Sequence, residues 1–153
     1  MRDVTADFWL ERPAGDKCAP ATLRSTMGNI DLPIAGRYIE QVWELGMAQD
    51  YLAFVTHGIL HEEQLSLLLI GANRLQEQID ISQPLAGTAP KVAASVMQDH
   101  TLEFHFPADR KWRLKVRAQP AWRWPVYSPF MTRQPRWRGR LALTSQRTSH
   151  GNS

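Results

Sequence analysis

From Thr101 to Arg117 the chain alternates apolar and polar side chains with a period of two, a spacing that an extended strand sorts onto two faces and a helix does not. Leu102, Phe104 and Phe106 alternate with Thr101, Glu103 and His105. Across a Pro107-Ala108-Asp109-Arg110 connection, Trp112, Leu114 and Val116 then alternate with Lys111, Arg113, Lys115 and Arg117. This predicts a β-hairpin with one apolar face and one strongly basic face. A lone hairpin is marginal in water, so its apolar face must cover other elements or join further strands.

Proline restricts the chain beyond this hairpin. Pro120, Pro125, Pro129 and Pro135 forbid a long helix after Gln119 and allow only short or edge strands. Trp122, Trp124, Tyr127, Phe130 and Trp137 in the same stretch argue against plain disorder. The expectation is an extended Pro/Trp/Arg-rich strap over residues 119–144, then a disordered polar tail over residues 145–153.

Towards the N-terminus the spacing changes. Tyr38, Ile39, Val42, Trp43 and Leu45 are apolar while Arg37, Glu40, Gln41 and Glu44 fill the gaps, which reads as a helix over residues 34–45 closed by a left-handed Gly46. Residues 51–57 read as a short helix capped by Asp50 and closed by Gly58, with a strand as the rival because Tyr51, Phe54, Val55 and Thr56 favour strands. Leu65, Leu68, Ala72, Leu75 and Ile79 recur at spacings of three and four, which predicts a helix over residues 61–79. Gly71 and Asn73 weaken that helix, and a hairpin turning near residues 71–74 competes with it. Pro84 to Pro90 reads as a linker, and residues 91–98 as a short helix or strand. Residues 1–33 carry Pro, Gly and Asn without a sustained period and read as an irregular arm.

The fold expected is therefore α+β. N-terminal amphipathic helices pack on an antiparallel β-hairpin or small sheet in one core domain over residues 34–118, crossed by the C-terminal strap. A mostly β meander is the alternative. A length of 153 residues suits a single core.

Composition bounds the function. No apolar run approaches the roughly 18 residues of a membrane-crossing helix, and the acidic first twelve residues carry no secretory pattern, so a cytoplasmic protein is expected. Cys18 is the single cysteine, which removes an internal disulfide framework and reads as a spare thiol. Charge is divided unevenly: residues 1–100 hold seven Lys and Arg against thirteen Asp and Glu, a balance of −6, while residues 101–153 hold eleven against two, a balance of +9. Such a division means that the halves attract each other or that the basic half meets an acidic partner.

Motifs for catalysis are missing. No glycine-flanked nucleophile, phosphate-cradling loop or cooperating carboxylate pair occurs, since the adjacent Glu62 and Glu63 would point apart. His57 and His61 are spaced for a shared zinc, but Gly58 interrupts them and no third ligand is near. No metal and no cofactor is expected. A helix-turn-helix over residues 51–79 is opposed by two glutamates at the start of its recognition helix. What remains is the basic, tryptophan-rich C-terminal half. Lys111, Arg113, Lys115, Arg117, Trp122, Arg123, Trp124, Arg136, Trp137, Arg138 and Arg140 are expected to form one continuous partner-binding surface. Arg and Trp are the residue types of binding hot spots, so the leading expectation is a non-catalytic adaptor that contacts an acidic protein. Single-stranded DNA or RNA is the second partner class, because guanidinium groups neutralise phosphates and indoles stack bases. A small hydrolase ranks third. Burial of the tryptophans would turn this half into a structural strap.

Overall fold

The computed structural model describes residues 1–14, 20–46, 49–58, 62–84, 92–98, 100–106, 110–123 and 130–147. Cys18, His61, residues 85–90 of the expected Pro84–Pro90 linker, Pro107-Ala108-Asp109, Trp124 and residues 148–153, on which expectations fall, lie outside them. Among the described residues there are thirteen strands and one 3-10 turn, Thr5–Asp7. The strands are β1 (Arg2–Asp3), β2 (Phe8–Glu11), β3 (Ala21–Ser25), β4 (Asp31–Ile34), β5 (Tyr38–Glu44), β6 (Tyr51–Thr56), β7 (Glu62–Gly71), β8 (Arg74–Pro84), β9 (Ala94–Val96), β10 (Thr101–His105), β11 (Arg110–Trp122), β12 (Met131–Gln134) and β13 (Arg138–Arg147).

They form three antiparallel sheets. Six strands make the middle sheet, in the order β1-β5-β6-β7-β8-β12, with a four-stranded sheet, β13-β11-β10-β9, on one face and a three-stranded sheet, β2-β3-β4, on the other. Alternation along the two central strands sorts their side chains between two cores. Leu52 and Phe54 of β6 and Leu65, Leu67 and Leu69 of β7 face the four-stranded sheet, where they meet Leu102, Phe104, Trp112, Leu114 and Val116. Tyr51, Ala53, Val55, Leu68 and Ile70 face the other way, onto Phe8, Leu23 and Ile34. Phe54 stands edge-on to Phe104 at 5.2 Å between ring centres, and Phe104 stacks on Trp112. Each such side chain fully buried is worth about 1.5–3 kcal/mol.

The α+β fold with N-terminal helices is thus overturned, and the mostly β alternative fits. Three features produced the helical spacing. First, β5 bulges between Ile39 and Gln41, so Ile39 and Val42 reach the same core three residues apart. Second, Leu65 and Leu68 are both buried but on opposite faces of β7. Third, Ala72 and Asn73 are the centre of a two-residue turn joining β7 to β8, both left-handed at φ 50° and 57°, a type I′ geometry that fits the twist of a hairpin. The competing hairpin at residues 71–74 is therefore the observed structure, and the helix-turn-helix goes with the helices. Gly46 and Gly58 are indeed left-handed, at φ 71° and 59°, but they end strands.

The segment expected as an irregular arm, residues 1–33, supplies β1 to β3 and most of β4, and its Trp9 pairs with Arg24 across β2 and β3. The segment expected as a strap contributes the end of β11, β12 and most of β13, and Ser145 to Arg147 of the expected tail complete β13. The hairpin read from alternation forms as expected, with Leu102 opposite Leu114 and Phe104 opposite Trp112. No helix among the described residues is long and apolar enough to cross a membrane.

Candidate functional site

The register of β11 on β13 divides the basic residues among three places. Along β11, Lys111, Arg113 and Lys115 alternate with the buried Trp112, Leu114 and Val116, so they lie on the outer face of the four-stranded sheet. Glu103 of β10 sits between two of them, 2.6 Å from Lys111 Nζ and 3.0 Å from Arg113 Nε. Hydrogen bonds from Lys111 and then Arg113 hold its carboxyl below the usual range. Lys115 on that face has no ion-pair partner among the described residues.

Beyond Val116 the pairing slips, and it resumes only at Ala121 opposite Gly139 and Trp122 opposite Arg138. Pro120, which has no N–H to give a ladder, lies within this slip. Arg123 N then donates to Trp137 O at 2.9 Å, which closes the arm. The end of this arm is open to water: Trp122 is 76% exposed and Trp137 55%, and Arg136 and Arg138 beside them are exposed as well. Neither arginine has an acidic partner among the described residues. Two bare indoles are unusual, because tryptophan is highly buried on average.

Arg123 and Arg140 turn the other way. Glu77, on β8 and 2% exposed, accepts Arg140 N at 2.6 Å, Leu141 N at 3.0 Å and Arg123 Nη2 at 3.1 Å, with Arg133 Nη1 3.9 Å away. Burial pushes the Glu77 carboxyl up, against the pull of the Leu141 N–H and of Arg123, and burial lowers Arg123. Arg140 Nη1 bonds the buried Asp50, and Arg140 Nε donates to Arg117 O at 2.8 Å. Two glycines make room for these groups. A Cβ on Gly139 would collide with the Glu77 carboxylate, and one on Gly71 with Asp50 and Gln76.

The expected continuous surface is therefore corrected. Arg123 and Arg140 are spent on an internal seam between the middle and four-stranded sheets, because their carboxylates are buried where only a chain cation can reach them. Lys111, Arg113 and Lys115 form one patch, and Trp122, Arg136, Trp137 and Arg138 another, with Arg117 half-buried between. Sequence reasoning took Asp50 for a helix cap and singled out neither Glu77 nor Arg133 as a site residue. The excess of acid before residue 100 and of base after it was the available signal, and the seam is one place where those halves attract.

A second polar group lies on the opposite face of the middle sheet. His57 Nε2 is 2.7 Å from Ser66 Oγ, and that hydroxyl donates to Asp80 at 2.5 Å. Gln78 and Thr132 also bond Asp80. The three side chains form one hydrogen-bonded row in which the Ser66 hydroxyl donates to the Asp80 carboxylate. Among the described residues no group of three or more His, Cys, Asp or Glu could hold a metal ion.

No protein-family model, no curated protein and no solved structure matches the chain.

Proposed function

We propose that this chain is a non-catalytic binding protein that contacts an acidic protein partner through the arm formed by β11 and β13. The observation that carries this is the exposure of Trp122 and Trp137 beside Arg136 and Arg138, with no described carboxylate to occupy either arginine. Tryptophan and arginine dominate interface hot spots, and large apolar side chains left in water at one place mark a contact region. Protein is favoured over nucleic acid by the count of available cations. Arg123 and Arg140 are held in the seam and Lys111 and Arg113 share Glu103, so few cations remain to neutralise phosphates, the term on which nucleic-acid affinity chiefly rests. A cytoplasmic setting belongs to the same proposal, supported by the lack of any disulfide framework in a chain with one cysteine.

The test compares the wild-type chain with a Trp122→Ala, Trp137→Ala double variant. Proteins captured from extract by the first and lost by the second are expressed and their kinetics measured. The expected partner is acidic, and truncation of the tryptophans speeds its dissociation by about tenfold or more, while added salt mainly slows association. Partners that bind both chains equally overturn the proposal. So does a single-stranded oligonucleotide that binds more tightly than any captured protein and loses about a thousandfold in affinity between roughly 50 and 200 mM salt.

A further inference from the structure

At the end of β11 opposite the tryptophan arm, the middle and four-stranded sheets leave a cleft of about 230 Å³ between them. Alternation explains its lining. The inward column of β11 reads Val116, Leu114, Trp112, Arg110, and its partners on β13 read Leu141, Leu143 and Ser145. The layer between the sheets thus passes from purely apolar to polar as it nears this end. Ile81 of β8 and Met131 of β12 face Leu143 and Trp112 across the cleft, and Arg110 and Ser145 supply its polar groups. The guanidinium carbon of Arg110 lies 5.6 Å from the centre of the Trp112 ring, a distance at which the cation is held against the indole face.

Two observations define what fits. No carboxylate lines the cleft among the described residues, and none of them pairs with Arg110. The volume is below the roughly 300–1,000 Å³ of ordinary ligand sites, which suits a small ligand. A nucleotide or a two-tailed lipid would extend well beyond it. We propose that this cleft binds a small monocarboxylate with a short aliphatic tail. Its carboxylate is held by Arg110 and Ser145, and its tail lies on Ile81, Met131 and Leu143 beside the Trp112 ring. A guanidinium fork matches a carboxylate in two parallel hydrogen bonds, and the apolar walls reward the tail.

Hexanoate, with eight heavy atoms, is the probe. In a titration of the full chain followed by nuclear magnetic resonance, the Trp112 indole N–H signal is expected to shift and to saturate with a Kd of about 0.1–1 mM, the range open to so small a ligand. Arg110→Gln, at the half-buried end of the strand, should keep the spectrum of the folded chain and weaken hexanoate about tenfold. Hexanol should bind both forms weakly and alike. The Trp122→Ala, Trp137→Ala variant should bind hexanoate as the wild type does, which separates this cleft from the partner contact. Three outcomes each overturn the proposal: no saturation by about 10 mM, equal affinity in Arg110→Gln, or hexanol binding as well as hexanoate. Tighter binding of hexyl phosphate than of hexanoate would overturn the choice of a carboxylate.

Discussion

A carboxylate withdrawn from water and matched to guanidinium groups cannot be removed without stranding those cations. Glu77 binds Arg123, approaches Arg133 and caps the N–H groups of Arg140 and Leu141, so Glu77→Ala leaves two partly buried cations and two buried donors unanswered. A loss of about 3–5 kcal/mol in urea denaturation is expected, and one below about 1 kcal/mol would mean that the seam is not formed. His57 gives the opposite kind of test. Its burial lowers its pKa below the ordinary value of about 6.5, with Asp80 pulling the other way. The unfolded chain therefore takes up the proton first. Stability from this group is complete above about pH 6.5 and is lost as pH falls towards the folded-state value. In His57→Asn the urea midpoint should fall less between about pH 7 and pH 5 than in the wild type, and equal slopes would contradict this.

At the scale of elements, the hairpin of β7 and β8 turns on two residues that are both left-handed, and only one of them suits that conformation. Asparagine tolerates it, whereas alanine at Ala72 is strained by about 1–2 kcal/mol. Ala72→Gly should raise stability by about 0.5–1 kcal/mol after the entropic cost of glycine, read as a higher urea midpoint with an unchanged slope. Destabilisation by this change would mean that the turn is not type I′. The same hairpin shows why its residues resembled a helix. Between Leu69 and Ile70 the register slips, so Ile70 faces Leu75 while Leu69 faces Glu77. Strict alternation is lost where the ladder bulges, and residues in turn, outer face and core come to lie three or four apart. The β10 and β11 hairpin contains no bulge before Val116, and there alternation was legible.

For the whole molecule the decisive fact is that the middle sheet is covered on both sides. Leu65 and Leu68 each lie fully buried, but one belongs to the core beneath the four-stranded sheet and the other to the core beneath the three-stranded sheet. Leu65→Ala and Leu68→Ala should each cost about 2–5 kcal/mol, and in the double variant the losses should add within about 0.5 kcal/mol because no cavity is shared. A coupling of about 1 kcal/mol or more would place both in one core, as a helical stripe would have done.

Features that depend on neighbours along the chain were legible in the sequence. They are the Thr101–Arg117 hairpin with its apolar and basic faces, the left-handed glycines at Gly46 and Gly58, and the division of charge that the seam joins. Tertiary packing settled the rest. A strand buried on both faces, such as Tyr51–Thr56 or Glu62–Gly71, has no polar face to alternate with, so its period vanishes and its type is fixed by the sheets above and below it. Whether an arginine faces water or a buried carboxylate is decided the same way. Arg123 and Arg138 lie fifteen residues apart in one basic stretch, yet the first meets Glu77 and the second meets solvent, because the fold brings residue 77 to one side of the arm and nothing described to the other.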